Sequence, residues 1–174
     1  ALEGREELGV DEGRLAPQRV RPRRDLVRHV PRQSKVRILV DGAHNPDALG
    51  ALMRCVGAHL PYDSMVCIFG CAADKDIDSL LDRVSLGADK VIFTKSSRNT
   101  RAAEPEDLRR RFMERSGKMC QTSPTVKDAL ELAARAVSRE DLICVTGSFY
   151  LVGETMKYLE TLKKQRQDAG IAVG

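Results

Sequence analysis

Residues 36–60 read VRILVDGAHNPDALGALMRCVGAHL, and the change of period inside this stretch decides the fold. Val36–Val40 is short, mostly apolar and rich in β-branched residues, the pattern of a strand buried in a parallel sheet. The run stops at Asp41-Gly42, and Asn45-Pro46 then supplies an N-cap and a first-turn proline. Leu49, Leu52, Met53, Val56 and Leu60 follow at helical spacing. A strand leading through a short turn into a helix is the opening of a βαβ unit.

The alternation continues toward the carboxyl end. Patterning predicts strands at Met65–Phe69, Lys90–Thr94, Lys118–Gln121 and Leu142–Val145, and helices at Asp76–Val84, Glu104–Arg115, Thr125–Val137 and about Tyr150–Gln165. Five strand-then-helix units imply an α/β fold: a single Rossmann-like domain with a mostly parallel sheet and helices on both faces. Toward the amino end the pattern disappears. Arg19, Arg21, Arg23, Arg24, Arg28 and Arg32 interleave with Pro17, Pro22 and Pro31, and no period is sustained. The expected organisation is a basic linker or arm over 1–34, which could include the end of a preceding domain, a domain over 35–168, and a tail over 169–174.

Composition limits the function classes. A chain of 174 residues with 42% apolar and 31% charged side chains suits one globular core. No apolar run reaches the ~18 residues of a membrane span, and 1–30 lack a signal-peptide core, so a cytoplasmic protein without membrane contact is expected. Cys55, Cys67, Cys71, Cys120 and Cys144 form no CxxC pair and read as reduced core thiols rather than a disulfide frame or zinc site. Net charge is +4, yet Pro17–Arg37 alone carries seven Arg, one Lys and one Asp. Such an arm attracts polyanions, but it has no aromatic residue for base stacking. A flexible linker is the favoured reading, ahead of a steering element for a polyanionic substrate and of a nucleic-acid tail.

In open α/β sheets, ligands bind beyond the carboxyl ends of the strands. The sequence places Asp41, His44 and Asn45 after the first strand; Asp74, Lys75 and Asp76 after the second; Thr94, Arg98 and Arg101 after the third; and Thr146, Gly147 and Ser148 after the fifth. His44 sits in a Gly/Ala/Asn/Pro turn rather than on an apolar face, which favours a functional role. Asn45 reads first as a helix cap. Lys75 fits either a solvated loop or a phosphate contact, and Ser148 either a plain cap or part of an anion site at a helix start. The chain has no GxxxxGK[ST], no GxGxxG and no HExxH, so neither a self-sufficient ATPase or dehydrogenase nor a metal centre is indicated.

Four segments carry a family resemblance. Ile38–Pro46 (ILVDGAHNP), Phe69-Gly70 with Asp74-Lys75-Asp76, Thr94 with Arg101-Ala102-Ala103, and Cys144–Glu154 (CVTGSFYLVGE) together resemble the carboxy-terminal domain of folylpolyglutamate synthase/dihydrofolate synthase, a Mur ligase. The likeness spans roughly 35–160. It implies an acid–amino-acid ligase of folate metabolism, in which ATP converts an acid to an acyl phosphate that the amine of L-glutamate attacks. It also implies that a separate amino-terminal ATPase domain holds the phosphate loop, the magnesium and the folate or dihydropteroate pocket, and that this chain alone is inactive and monomeric. By the same resemblance Asp41 faces the nucleotide, His44 lies between nucleotide and glutamate, and Ser148 helps hold glutamate. Lys75 and Arg101 are further nucleotide-side candidates. Gly13-Arg14 corresponds to a Gly-Arg pair whose arginine reaches the ATP phosphates, although Ala16-Pro17-Gln18 departs from the acidic and apolar stretch that usually follows. Another Mur-type ligase with a different acid, or a non-enzymatic polyanion-binding α/β module, are the competing readings.

Overall fold

The computed structural model describes residues 36–168; the basic arm, Arg14 and the tail 169–174 lie outside the described residues. Ten elements alternate without exception: β1 (Arg37–Val40), α1 (Pro46–His59), β2 (Met65–Phe69), α2 (Ile77–Gly87), β3 (Lys90–Phe93), α3 (Pro105–Arg115), β4 (Met119–Thr122), α4 (Val126–Ala136), β5 (Leu142–Thr146) and α5 (Phe149–Asp168). The helix starts follow from the caps. Asn45 Oδ1 accepts from Ala48 N at 2.8 Å, Asp76 Oδ1 from Ser79 N at 3.2 Å, and Thr125 Oγ1 from Asp128 N at 3.1 Å. The Ser79 hydrogen bonds hold the Asp76 carboxyl below the usual carboxylate range. Asp76 therefore precedes its helix rather than opening it, and α2 runs past Val84 until Ala88, whose N–H closes the last turn on Val84 O.

All five strands are parallel, in the order β1-β5-β2-β3-β4. The chain moves from β2 to β3 to β4 in one direction, then returns to place β5 between β1 and β2. With one crossover hand, reversing direction changes the face on which the connecting helix lies. Accordingly α1, α2 and α3 share one face, where Leu49, Met53, Leu80, Leu81, Leu108 and Phe112 pack with Cys67, Phe69 and Phe93. On the other face α4 and α5 pack Val126, Ala129, Leu130, Ala133 and Leu151 on Val66, Ile68, Ile92, Ile143 and Val145. Successive residues of β2 thus alternate between the two cores, as strand geometry requires.

Two expectations need correction. Among the described residues β1 is an edge strand paired only with β5, and its residues are half-buried rather than buried. The cysteines are not uniformly core thiols. Cys67, Cys71 and Cys144 are buried, but Cys120 is half-buried and Cys55 is exposed on α1, because position 55 falls on the helix face opposite Leu49, Met53 and Val56. Burial pushes the Cys71 thiol up to about 12, which keeps it protonated and unreactive. No helix among the described residues is long and apolar enough to cross a membrane.

Candidate functional site

The strand order brings the decisive loops together. β5 lies between β1 and β2, so the loop after β5 is flanked by the loops after β1 and β2, with the β3 loop next in line. His44, Lys75, Asn99, Arg101, Ser148 and Tyr150 line one cleft of about 140 Å³ at these carboxyl ends. Asp41, His44 and Phe149 border a larger, mostly apolar groove of about 580 Å³ running along Ala48, Ala51, Leu52 and Cys55 of α1. His44 and Phe149 are common to both hollows.

The 41–45 turn is fixed from below by the end of β5. Asp41 N donates to Val145 O at 3.0 Å, Gly147 N to Ala43 O at 2.9 Å, and the buried Thr146 hydroxyl to Ala43 O at 3.3 Å. Asp41 spends Oδ1 on the Ala43 N–H at 2.8 Å, which leaves Oδ2 for a ligand hydroxyl. His44 Nδ1 lies 3.0 Å from Gly42 O. A carbonyl only accepts, so Nδ1 carries the hydrogen and Nε2 is the nitrogen left for a ligand. The ring is backed by Phe149, centroid to centroid 4.9 Å. Phe149 in turn lies over Gly42, where an added Cβ would come within 2.8 Å of Phe149 Cδ1.

Ser148 ends the β5 turn at the start of α5. Its Oγ accepts from Tyr150 N at 3.2 Å, so the hydroxyl hydrogen stays free to donate. Gly147, at φ +106°, makes the turn in a conformation open to glycine. Lys75 is exposed and Arg101 meets only Asp74, at 3.9 Å. At that distance and exposure the pairing is weak, and both cations retain hydrogen-bonding capacity for an anion. Lys75, Arg101, Ser148 and a histidine with one free nitrogen form a donor-rich wall suited to phosphate or carboxylate oxygens.

Other sequence candidates fall elsewhere. Thr94 and Thr146 are fully buried, so the hydroxyls after β3 and β5 do not join the ligand surface as expected, apart from Ser148. Asn45 and Asp76 act as caps. Arg98 does not line the cleft. Sequence reasoning missed Asn99, Phe149 and Tyr150 as site residues. The available signal was an aromatic pair opening α5 off the buried face, with Phe149 65% and Tyr150 52% exposed. Among the described residues, no three His, Cys, Asp or Glu side chains cluster as metal ligands.

Residues 23–149 match the family described as Mur ligase, glutamate ligase domain. The chain belongs to that family. Among relatives of this Mur ligase domain, a probable bifunctional folylpolyglutamate synthase/dihydropteroate synthase of Haloferax volcanii is 32% identical over 117 residues, 67% of this chain and 14% of that protein. A UDP-N-acetylmuramoyl-L-alanyl-D-glutamate–2,6-diaminopimelate ligase of Clostridioides difficile is 27% identical over 149 residues, 82% of this chain and 30% of that protein. Among solved structures, Mycobacterium tuberculosis folylpolyglutamate synthase complexed with ADP and AMPPCP superposes with a TM-score of 0.64 at 25% identity, covering 70% of this chain and 29% of that one. Escherichia coli FolC in complex with ADP shares the fold at a TM-score of 0.65 and 24% identity, over 73% and 29% of the two chains. The Mur ligase domain thus spans less than a third of the length of each of these proteins.

Proposed function

We propose that this chain is the carboxy-terminal domain of an ATP-dependent ligase that adds L-glutamate to a folate or dihydropteroate acid. The observation that carries the reading is the convergence of His44, Lys75, Arg101 and Ser148, from four separate loops, on one cleft beside Asp41. The likeness to folylpolyglutamate synthases in sequence and in fold supports the choice of acid. The diaminopimelate ligase that matches 82% of the chain supports a second reading, in which a muramyl peptide is the acid.

Each residue has a role that its geometry allows. Asp41 Oδ2 accepts ribose hydroxyls. His44 Nε2 sits between nucleotide and amino acid, a hydrogen-bond donor to phosphate when the ring is protonated. Ser148 donates its free hydroxyl hydrogen to the amino-acid carboxylate, aided by the positive end of α5. Lys75 and Arg101 offset the negative charge of the phosphates. ATP, when bound, supplies the phosphoryl group that activates the acid, and the cationic wall fits such a polyanion. Magnesium and the acid pocket are assigned to an amino-terminal ATPase domain of the same protein, with Arg14 as its nearest contributor from this chain; the whole acts as a cytoplasmic monomer. Positioning two reactants and neutralising charge are the main contributions a closing domain makes to such a transfer.

Two results follow from this assignment. The 174-residue chain alone shows no glutamate-dependent ATP turnover, because no phosphate-binding loop is present in it; measurable turnover by the purified chain contradicts the division of labour. In the complete ligase, Ser148→Ala raises KM for glutamate several-fold to about tenfold, the size expected for one charge-assisted hydrogen bond, with KM for ATP unchanged. Steady-state kinetics with each substrate varied in turn makes the check, and an effect confined to ATP moves Ser148 to the nucleotide.

A further inference from the structure

Glu154 on α5 is a half-buried carboxylate with no cation among its described partners. Its Oε2 instead accepts three hydrogen bonds from the loop after β3: Ser96 Oγ at 2.7 Å, Ser97 N at 3.0 Å and Ser97 Oγ at 3.2 Å. An unpaired carboxylate placed on two hydroxyls and an amide is costly to desolvate unless those bonds are well made. The loop it holds is the one that carries Asn99 and Arg101 into the cleft.

The hold passes along the loop by named contacts. Ser96 Oγ, fixed by Glu154, accepts from Arg98 N at 3.2 Å, and Ser96 O accepts from Asn99 N at 3.2 Å. Asn99 Oδ1 then accepts from Arg101 N at 3.1 Å. Arg101 O accepts from Ala73 N at 2.8 Å, and Ala103 N donates to Cys71 O at 2.9 Å. These last two bonds tie the β3 loop to the β2 loop that bears Lys75. The helix that presents Ser148 at its first turn therefore also sets, through Glu154, the loop that presents Arg101.

We infer that Glu154 is a positioning residue for the cleft: it touches no substrate and acts by holding the 96–101 loop so that Arg101 reaches the anionic ligand. The inference rests on the proposed ligase site. In the complete ligase, Glu154→Ala raises the same Michaelis constant that Arg101→Ala raises, by about five- to tenfold, with kcat within about twofold. In the Arg101→Ala background the Glu154→Ala effect disappears, because the two act in series. Glu154→Gln recovers most of the loss, since the amide oxygen still accepts from the serines. In the 174-residue chain, hydrogen exchange at Ser97 N and Arg98 N rises at least tenfold in Glu154→Ala while the melting temperature moves by only a few degrees.

The outcomes separate the two ideas. Arg101→Ala without effect on any Michaelis constant sinks the site assignment and the inference with it. An Arg101→Ala effect beside a silent Glu154→Ala overturns the inference alone. Fully additive effects, or loop exchange that stays at the wild-type rate, overturn it as well.

Discussion

His44→Ala in the complete ligase is expected to lower kcat/KM by roughly ten- to a hundredfold or somewhat more, the loss of a polar contact worth ~1–3 kcal/mol in a closed site. The domain itself should remain folded. His44 is only partly buried and its one intramolecular hydrogen bond goes to Gly42 O, two residues away, so its removal opens no cavity in either core. The change in melting temperature should stay within a few degrees. Asp41→Ala is expected to differ, because Oδ1 also fastens the Ala43 N–H and its removal loosens the turn as well as the ligand contact. Wild-type kinetics for His44→Ala would remove the imidazole from the site.

Gly147→Ala is expected to produce the largest loss of stability among substitutions at the site. The backbone there has φ +106°, a region that costs a residue with a Cβ about 1–3 kcal/mol. An added Cβ would also lie 2.6 Å from Gly70 O and 2.6 Å from Phe69 Cε2, and neither neighbour is free to give way. Gly70 is backbone at the end of β2, and Phe69 is fully buried against Phe93, ring centroids 6.3 Å apart. Overpacking of this kind adds roughly 1–3 kcal/mol, for a total on the order of 3 kcal/mol. For a domain of this size that corresponds to a fall in melting temperature of about 10 °C, measurable by calorimetry on the 174-residue chain. A melting temperature within two or three degrees of wild type would show that the turn can relax. Because Gly147 N also holds Ala43 O, the surviving protein should bind ligands through a disordered 41–45 turn.

The elements were legible in the sequence because the signals there are local. The periods of 36–60, the Asn45-Pro46 cap and the continuous apolar run Met65–Phe69 each specify their structure within a few residues. The strand order was not legible. Nothing local in Leu142–Thr146 says that it inserts between β1 and β2, since that depends on long-range pairing such as Cys67 with Cys144 and Ile38 with Ile143. The same gap affected the site. His44, Lys75, Arg101 and Ser148 could be chosen from their positions after strands, and their shared cleft follows once the order is known. Thr94 could not be told from Ser148 by sequence, as each is a hydroxyl just past a strand; only burial separates them. Phe149 was hidden by the opposite confusion. An aromatic residue reads as core, yet it stands exposed beside His44, where it backs the ring.

The assignment of the acid and the amino acid is tested most directly by product analysis of the complete ligase. The enzyme is supplied with ATP and magnesium and, in parallel, with a folate or dihydropteroate acid plus L-glutamate and with a UDP-linked muramyl dipeptide plus diaminopimelate, and the products are resolved by mass spectrometry. The proposed function predicts ATP-dependent growth of the pterin-containing acid by one glutamyl residue and no reaction of the muramyl peptide. Amide formation only on the muramyl peptide, or on neither acid, would contradict it.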